Sequence, residues 1–107
     1  MQMYLYMQST FNYLQELKMV TREVTIKNSV GLHARPATFF IQKANSFKSS
    51  ISVEREDRRV NAKSLLGVLS LGIVKGMEIT LVADGPDEEE AVEALANLID
   101  NELDELK

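Results

Sequence analysis

His33, Ala34, Arg35 and Pro36 place the only histidine of the chain two residues from an arginine and three from a proline. A neutral imidazole nitrogen is a nucleophile, and a guanidinium beside it can hold the oxygens of a phosphoryl group. Pro36 has a fixed φ and no N–H, so it suits the first turn of a helix and disrupts the interior of one. Behind it, Ala37, Phe40, Ile41 and Ala44 recur at helical spacing and make one apolar face. The pattern predicts a helix over 34–45, with His33 at or just before its start. Free N–H groups and the positive dipole end favour an anion there. Spacing alone leaves a plainer reading open, in which a lone histidine is an exposed loop residue or a satisfied cap.

The wider inventory narrows the chemistry. There are no cysteines, which excludes disulfides and thiolate metal sites, and one histidine excludes multi-histidine metal sites. No P-loop lysine motif, nucleophile–base pair or metal-ligand cluster stands out. No metal and no cofactor are expected, nor independent turnover of a small substrate. A lone histidine can still be a relay that takes a group from one protein and gives it to another, a task of positioning and charge stabilisation.

The elements that must hold this stretch are legible in the rest of the pattern. At 107 residues the chain reads as one domain with a modest core. Val20, Val24 and Ile26 alternate with polar residues as a half-buried strand, and Asn28-Ser29 breaks it before the loop 27–33. Ser50–Arg55 alternates again, Glu56-Asp57 signals a turn, and Arg58–Asn61 completes a hairpin. Ser64 is a natural N-cap for a short helix 65–70, which Gly72 ends. Met77–Ala83 reads as a strand with Ile79 and Leu81 inward. Pro86 is expected as the first residue of a last helix, whose buried face holds Val92, Leu95 and Ile99. This β-α-β-β-α-β-α order predicts an α+β, open-faced β-sandwich: a four-stranded antiparallel sheet covered on one face by three helices.

Charge is unevenly spread. From Asp84 onward there are ten acidic residues and one lysine, whereas residues 1–83 hold eleven basic and six acidic. The surplus of five positive charges lies with the histidine and suits an acidic protein or a phosphate. No lysine–arginine cluster with interleaved aromatics is present, so direct nucleic-acid binding is not expected. No apolar run approaches the roughly 18 residues of a membrane span. Neither a direct membrane role nor a secretory signal is expected, and the default location is cytoplasmic. Residues 1–18 carry all three tyrosines and differ in composition from the rest of the chain. They read as an N-terminal extension, non-native or flexible, ahead of a domain over 19–107; a docking or self-association segment is the alternative.

GLHARPAT, followed by Asn61-Ala62-Lys63-Ser64-Leu65-Leu66-Gly67-Val68-Leu69-Ser70-Leu71-Gly72, resembles the HPr family. HPr is the histidine-containing phosphocarrier of the bacterial phosphoenolpyruvate:sugar phosphotransferase system. The similarity runs from about Val20 to Leu103 and implies the open-faced sandwich just described.

The resemblance also implies roles. His33 is expected to take a phosphoryl group on Nδ1 from phospho-enzyme I and to pass it to sugar-specific IIA proteins, with Arg35 pairing with the phosphoryl oxygens. Ser64 is expected to be the regulatory serine of the Gram-positive type, phosphorylated by HPr kinase/phosphorylase in carbon catabolite repression. Lys63 would help position that phosphate. Thr38, Phe39, Leu65, Leu66 and Leu69 match positions that meet enzyme I, the IIA domains and a LacI-type catabolite regulator. Phe39 is bulkier than the pattern leads one to expect. The alternative within the family is a purely regulatory, Crh-type co-repressor acting through phospho-Ser64; such relatives lack the histidine.

Overall fold

The computed structural model describes residues 19–29 and 31–104. The segment 1–18, expected to be an extension, lies outside them. Seven elements occur in order: β1 (Val20–Thr25), α1 (Ala34–Asn45), β2 (Ser50–Arg55), β3 (Arg58–Asn61), α2 (Leu65–Ser70), β4 (Glu78–Asp84) and α3 (Glu88–Asn97). A single π-helical turn, Leu98–Glu102, extends α3.

The four strands form one antiparallel sheet in the order β1-β4-β2-β3, and the three helices cover one face of it. Period-2 alternation decides which face. Val24 of β1, Ile51 and Val53 of β2, and Ile79, Leu81 and Ala83 of β4 are buried toward the helices. Between them Glu23, Thr80 and Glu54 align across β1, β4 and β2 on the open face. Phe40, Ala37 and Ala44 of α1, Val68 of α2, and Val92 and Leu95 of α3 complete the core from above.

Two arginines break the apolar alternation at the hairpin. Arg55 and Arg58 are direct cross-strand partners, a like-charge pairing that is ordinarily unfavourable. Here each finds a carbonyl at the C-terminal end of α2: Arg55 donates to the Leu71 carbonyl at 3.0 Å and Arg58 to the Ser70 carbonyl at 2.8 Å. The negative end of a helix dipole is a favourable place for both charges. The hairpin thus steadies the short helix from its far end.

The last helix differs from expectation at its start. Pro86 is not its first residue; the helix begins at Glu88 with Asp87 at the cap position. The Asp87 carboxylate makes no capping bond to its own helix. It accepts instead from the Lys48 and Ser49 N–H groups, each at 2.9 Å, and from the Ser49 hydroxyl. These bonds hold its pKa down to about 2 from 3.8, the Ser49 hydroxyl contributing most and the Lys48 N–H next. A nonlocal staple has taken the place of a local cap.

Candidate functional site

The strand β1 ends at Thr25, and the chain must then turn up to the helical layer. Gly31 makes that possible. Its φ is +61°, a left-handed conformation that side chains resist. A Cβ there would stand 2.5 Å from the Ile73 carbonyl oxygen and 2.8 Å from the Val74 Cα. The loop therefore lies directly on the backbone of the segment between α2 and β4. Leu32, buried beside it, donates its N–H to the Ile73 carbonyl at 3.1 Å.

His33 comes next, at the N-cap position of α1, with extended backbone (φ −76°, ψ −175°). Its carbonyl accepts the Ala37 N–H at 2.8 Å, the first turn of the helix. Its imidazole is exposed and makes no capping bond to the first helical N–H groups. Arg35 is exposed on the same turn, and its guanidinium has no ion pair among the described residues. Pro36, as expected, is in the first turn, and it is buried. An exposed imidazole, an exposed guanidinium and a helix N-terminus thus meet at one turn, which can receive a phosphoryl group and its oxygens.

The second site forms around Ser64, the N-cap of α2. Its Oγ accepts the Gly67 N–H at 3.1 Å, and its own N–H donates to the Asn61 carbonyl at 3.1 Å. Gly67 packs closely on this cap: a Cβ there would lie 3.3 Å from that same Oγ, so the serine would have to give slightly, and 3.4 Å from Val60, an ordinary contact. Lys63 is engaged elsewhere: its ammonium donates to the Phe47 carbonyl at 2.8 Å.

α1 and α2 pack against one another and carry the remaining residues of interest. Thr38 is exposed and its hydroxyl donates to the Ala34 carbonyl at 2.8 Å. Phe39 and Leu69 are half-buried against the core. Leu65 and Leu66 are exposed, Leu66 at 81%, while Val68 of the same turn is buried. A solvent-facing leucine pair beside a buried valine is the apolar patch that six residues of helix have no room to bury.

A family model described as the PTS HPr component phosphorylation site matches residues 20–101. The chain belongs to the HPr family. It is 49% identical over 84 residues to the HPr-like protein Crh of Halalkalibacterium halodurans, which covers 78% of this chain and 100% of that protein. It is 42% identical over 87 residues to the phosphocarrier protein HPr of Treponema pallidum, 81% of this chain and 99% of that one. The crystal structure of HPr from Bacillus anthracis superposes with a TM-score of 0.75 at 45% identity, covering 77% of this chain and 98% of that one. The HPr fold expected from the motifs is the fold observed.

Sequence reasoning treats Asn28 only as a strand breaker. The structure buries it at 3% exposure and directs its side-chain amide at the Gly31 carbonyl, 2.9 Å away. An asparagine three residues before a glycine is the available signal, since those residues favour the first and last places of a tight turn. No described helix is long and apolar enough to cross a membrane, and no metal-binding cluster occurs among the described residues.

Proposed function

We propose that this HPr-family protein is a phosphocarrier that accepts a phosphoryl group on His33 from phospho-enzyme I and passes it to sugar-specific IIA proteins. The observation that carries the reading is the exposed, uncapping imidazole of His33 at the N-cap of α1, with the exposed Arg35 two residues on. On loading, the Nδ1 lone pair attacks phosphorus and the donor's bond to phosphorus breaks, its electron pair leaving with the donor. On unloading, an acceptor nucleophile of the IIA protein attacks that phosphorus and the P–N bond breaks, its pair returning to Nδ1. Arg35 and the helix N-terminus stabilise the charge on the phosphoryl oxygens. The exposed Leu65 and Leu66, with Thr38, Phe39 and Leu69, form the docking patch for enzyme I and the IIA domains. A cytoplasmic setting fits those partners.

Ser64 is the regulatory site in this reading, phosphorylated by HPr kinase/phosphorylase and then read by a LacI-type catabolite regulator. Its position at a helix N-terminus tolerates the added charge of about −1.5 to −2. Charge repulsion at ~10 Å in water amounts to only about 0.4 kcal/mol per charge pair, too little to stop relay at His33. Inhibition works instead through the partner surface that covers Ser64.

The second reading is a Crh-type regulatory module acting through phospho-Ser64, favoured by the 49% identity to a protein of that name. Intact mass after incubation with phosphoenolpyruvate, Mg²⁺ and enzyme I separates the two. An acid-labile gain of one phosphoryl group that His33→Ala abolishes supports the carrier. An acid-stable gain with ATP and HPr kinase alone, abolished by Ser64→Ala, supports the regulatory module.

A further inference from the structure

We infer that Asn28 is a positioning residue for phosphoryl transfer at His33, acting through the Gly31–Leu32 peptide one residue before it. The inference rests on His33 being the acceptor.

The Gly31–Leu32 peptide is held at both ends. Its carbonyl accepts from Asn28 Nδ2 at 2.9 Å, and its N–H donates to the Ile73 carbonyl at 3.1 Å. Its plane is therefore fixed against two separate segments of the chain. One residue later the imidazole leaves the backbone, and the His33 carbonyl is already committed to the helix. On the N-terminal side, the backbone path that carries the His33 Cα starts from the clamped peptide. Gly31 adds close backbone contact with Ile73 and Val74, but glycine adopts its left-handed φ without a strong preference for it, so the two hydrogen bonds add restraint on the peptide plane that packing does not supply.

The amide is an expensive way to make a turn. Asn28 is one of only two buried polar side chains among the described residues, and its Oδ1 has no hydrogen-bond partner among them. Burying an acceptor unsatisfied is costly. A turn needs no such group, and exposed turn residues are plentiful in this chain. The cost is offset if rigidity of the loop matters to the ring it carries, since a near-attack geometry loses rate steeply with small displacements.

The test compares Asn28→Asp, which keeps size but loses the donor, with Ser49→Ala, which cuts hydrogen bonds at the opposite end of the sheet. Single-turnover transfer from phospho-enzyme I is followed alongside urea stability and the ¹⁵N signals of the His33 ring. Asn28→Asp is expected to slow transfer at saturating donor by tenfold or more, with little change in the half-saturating concentration and with displaced ring signals. Ser49→Ala is expected to lose stability and keep the rate. Wild-type rates in Asn28→Asp, or slowing no greater than in an equally destabilised Ser49→Ala, would overturn the assignment. If Asn28→Asp does not fold, Asn28→Ser (a shorter donor) and Asn28→Ala replace it, with rates expected to fall in that order; equal rates overturn it. If the unmutated protein takes no phosphate, the acceptor reading falls. Exchange of the Leu32 amide and the ring signals then decide the loop alone, and no change in either on losing the donor refutes the role of Asn28.

Discussion

The hydroxyl of Ser64 and the backbone N–H of Gly67 are joined by a 3.1 Å hydrogen bond, so the serine proposed for regulation is also the cap of its helix. Its removal and its replacement by another acceptor therefore have different structural effects. Ser64→Ala should cost roughly 1 kcal/mol of stability, whereas Ser64→Asp keeps an acceptor at the cap and should remain close to wild type. Urea midpoints check both. Ser64→Asp should nonetheless accept phosphate from enzyme I more slowly, and an unchanged rate would count against a covered Ser64 at that interface.

Gly31 is the backbone requirement on which His33 depends. Gly31→Ala would force a left-handed alanine and a Cβ 2.5 Å from the Ile73 carbonyl. Backbone strain of this kind costs on the order of 1–3 kcal/mol. A fall in melting temperature with slowed phosphorylation is expected, and an alanine variant as stable as wild type would contradict the close approach.

Leu66 separates docking from packing. At 81% exposure it supports little of the core, so Leu66→Ser should leave stability within about 0.5 kcal/mol of wild type. Affinity for enzyme I and for IIA domains, measured by calorimetry, should fall. Unchanged affinity for both would remove Leu66 from the proposed patch.

Arg58 tests the bracing of α2 by the hairpin. Its contact with the Ser70 carbonyl sits at a helix C-terminus, where a cation is worth about 0.3–1 kcal/mol. Arg58→Ala should lose that much and should speed amide exchange at Leu69, Ser70 and Leu71, with no effect on exchange in α3.

Acid should weaken the staple at Asp87. The folded pKa of about 2 lies below the usual 3.8, so between those values the unfolded chain binds more protons. The stabilisation is full above about pH 4 and declines as pH falls toward 2. Asp87→Asn should flatten that part of the stability–pH curve, which denaturant titrations between pH 5 and 2 would resolve.

Local signals were legible where local chemistry decided the outcome. Pro36, the Ala37–Ala44 face and Ser64 fixed α1 and α2 at the bounds observed, and alternation marked the hairpin strands as they stand. β4 lies one residue later than the pattern indicated, over Glu78–Asp84. Pro86 misled because Asp87 is spoken for by Ser49, 38 residues away in sequence. The π-helical turn at Leu98–Glu102 has no counterpart in apolar periodicity. His33 and Arg35 were legible as types and spacing, but the clamped peptide beneath them was not, because one of its two partners belongs to the segment after α2.

The strand β1 runs from the neighbourhood of Asp84 and α3 to the loop that carries His33. Six residues of strand keep those ends about 20 Å apart, more than two Debye lengths at physiological salt. The acidic start of α3, with Glu88, Glu89 and Glu90, is thereby kept at the opposite end from Lys27, Arg35 and Lys75. Acidic side chains are not confined to the far end, since Asp104 accepts from Ser29 in the histidine loop and Glu78 pairs with Thr25 at the end of β1. What the separation isolates is the α3 cluster alone: a change of charge at Glu88, Glu89 or Glu90 is screened from the imidazole, whose local field is set by its own loop and the strand ends beside it.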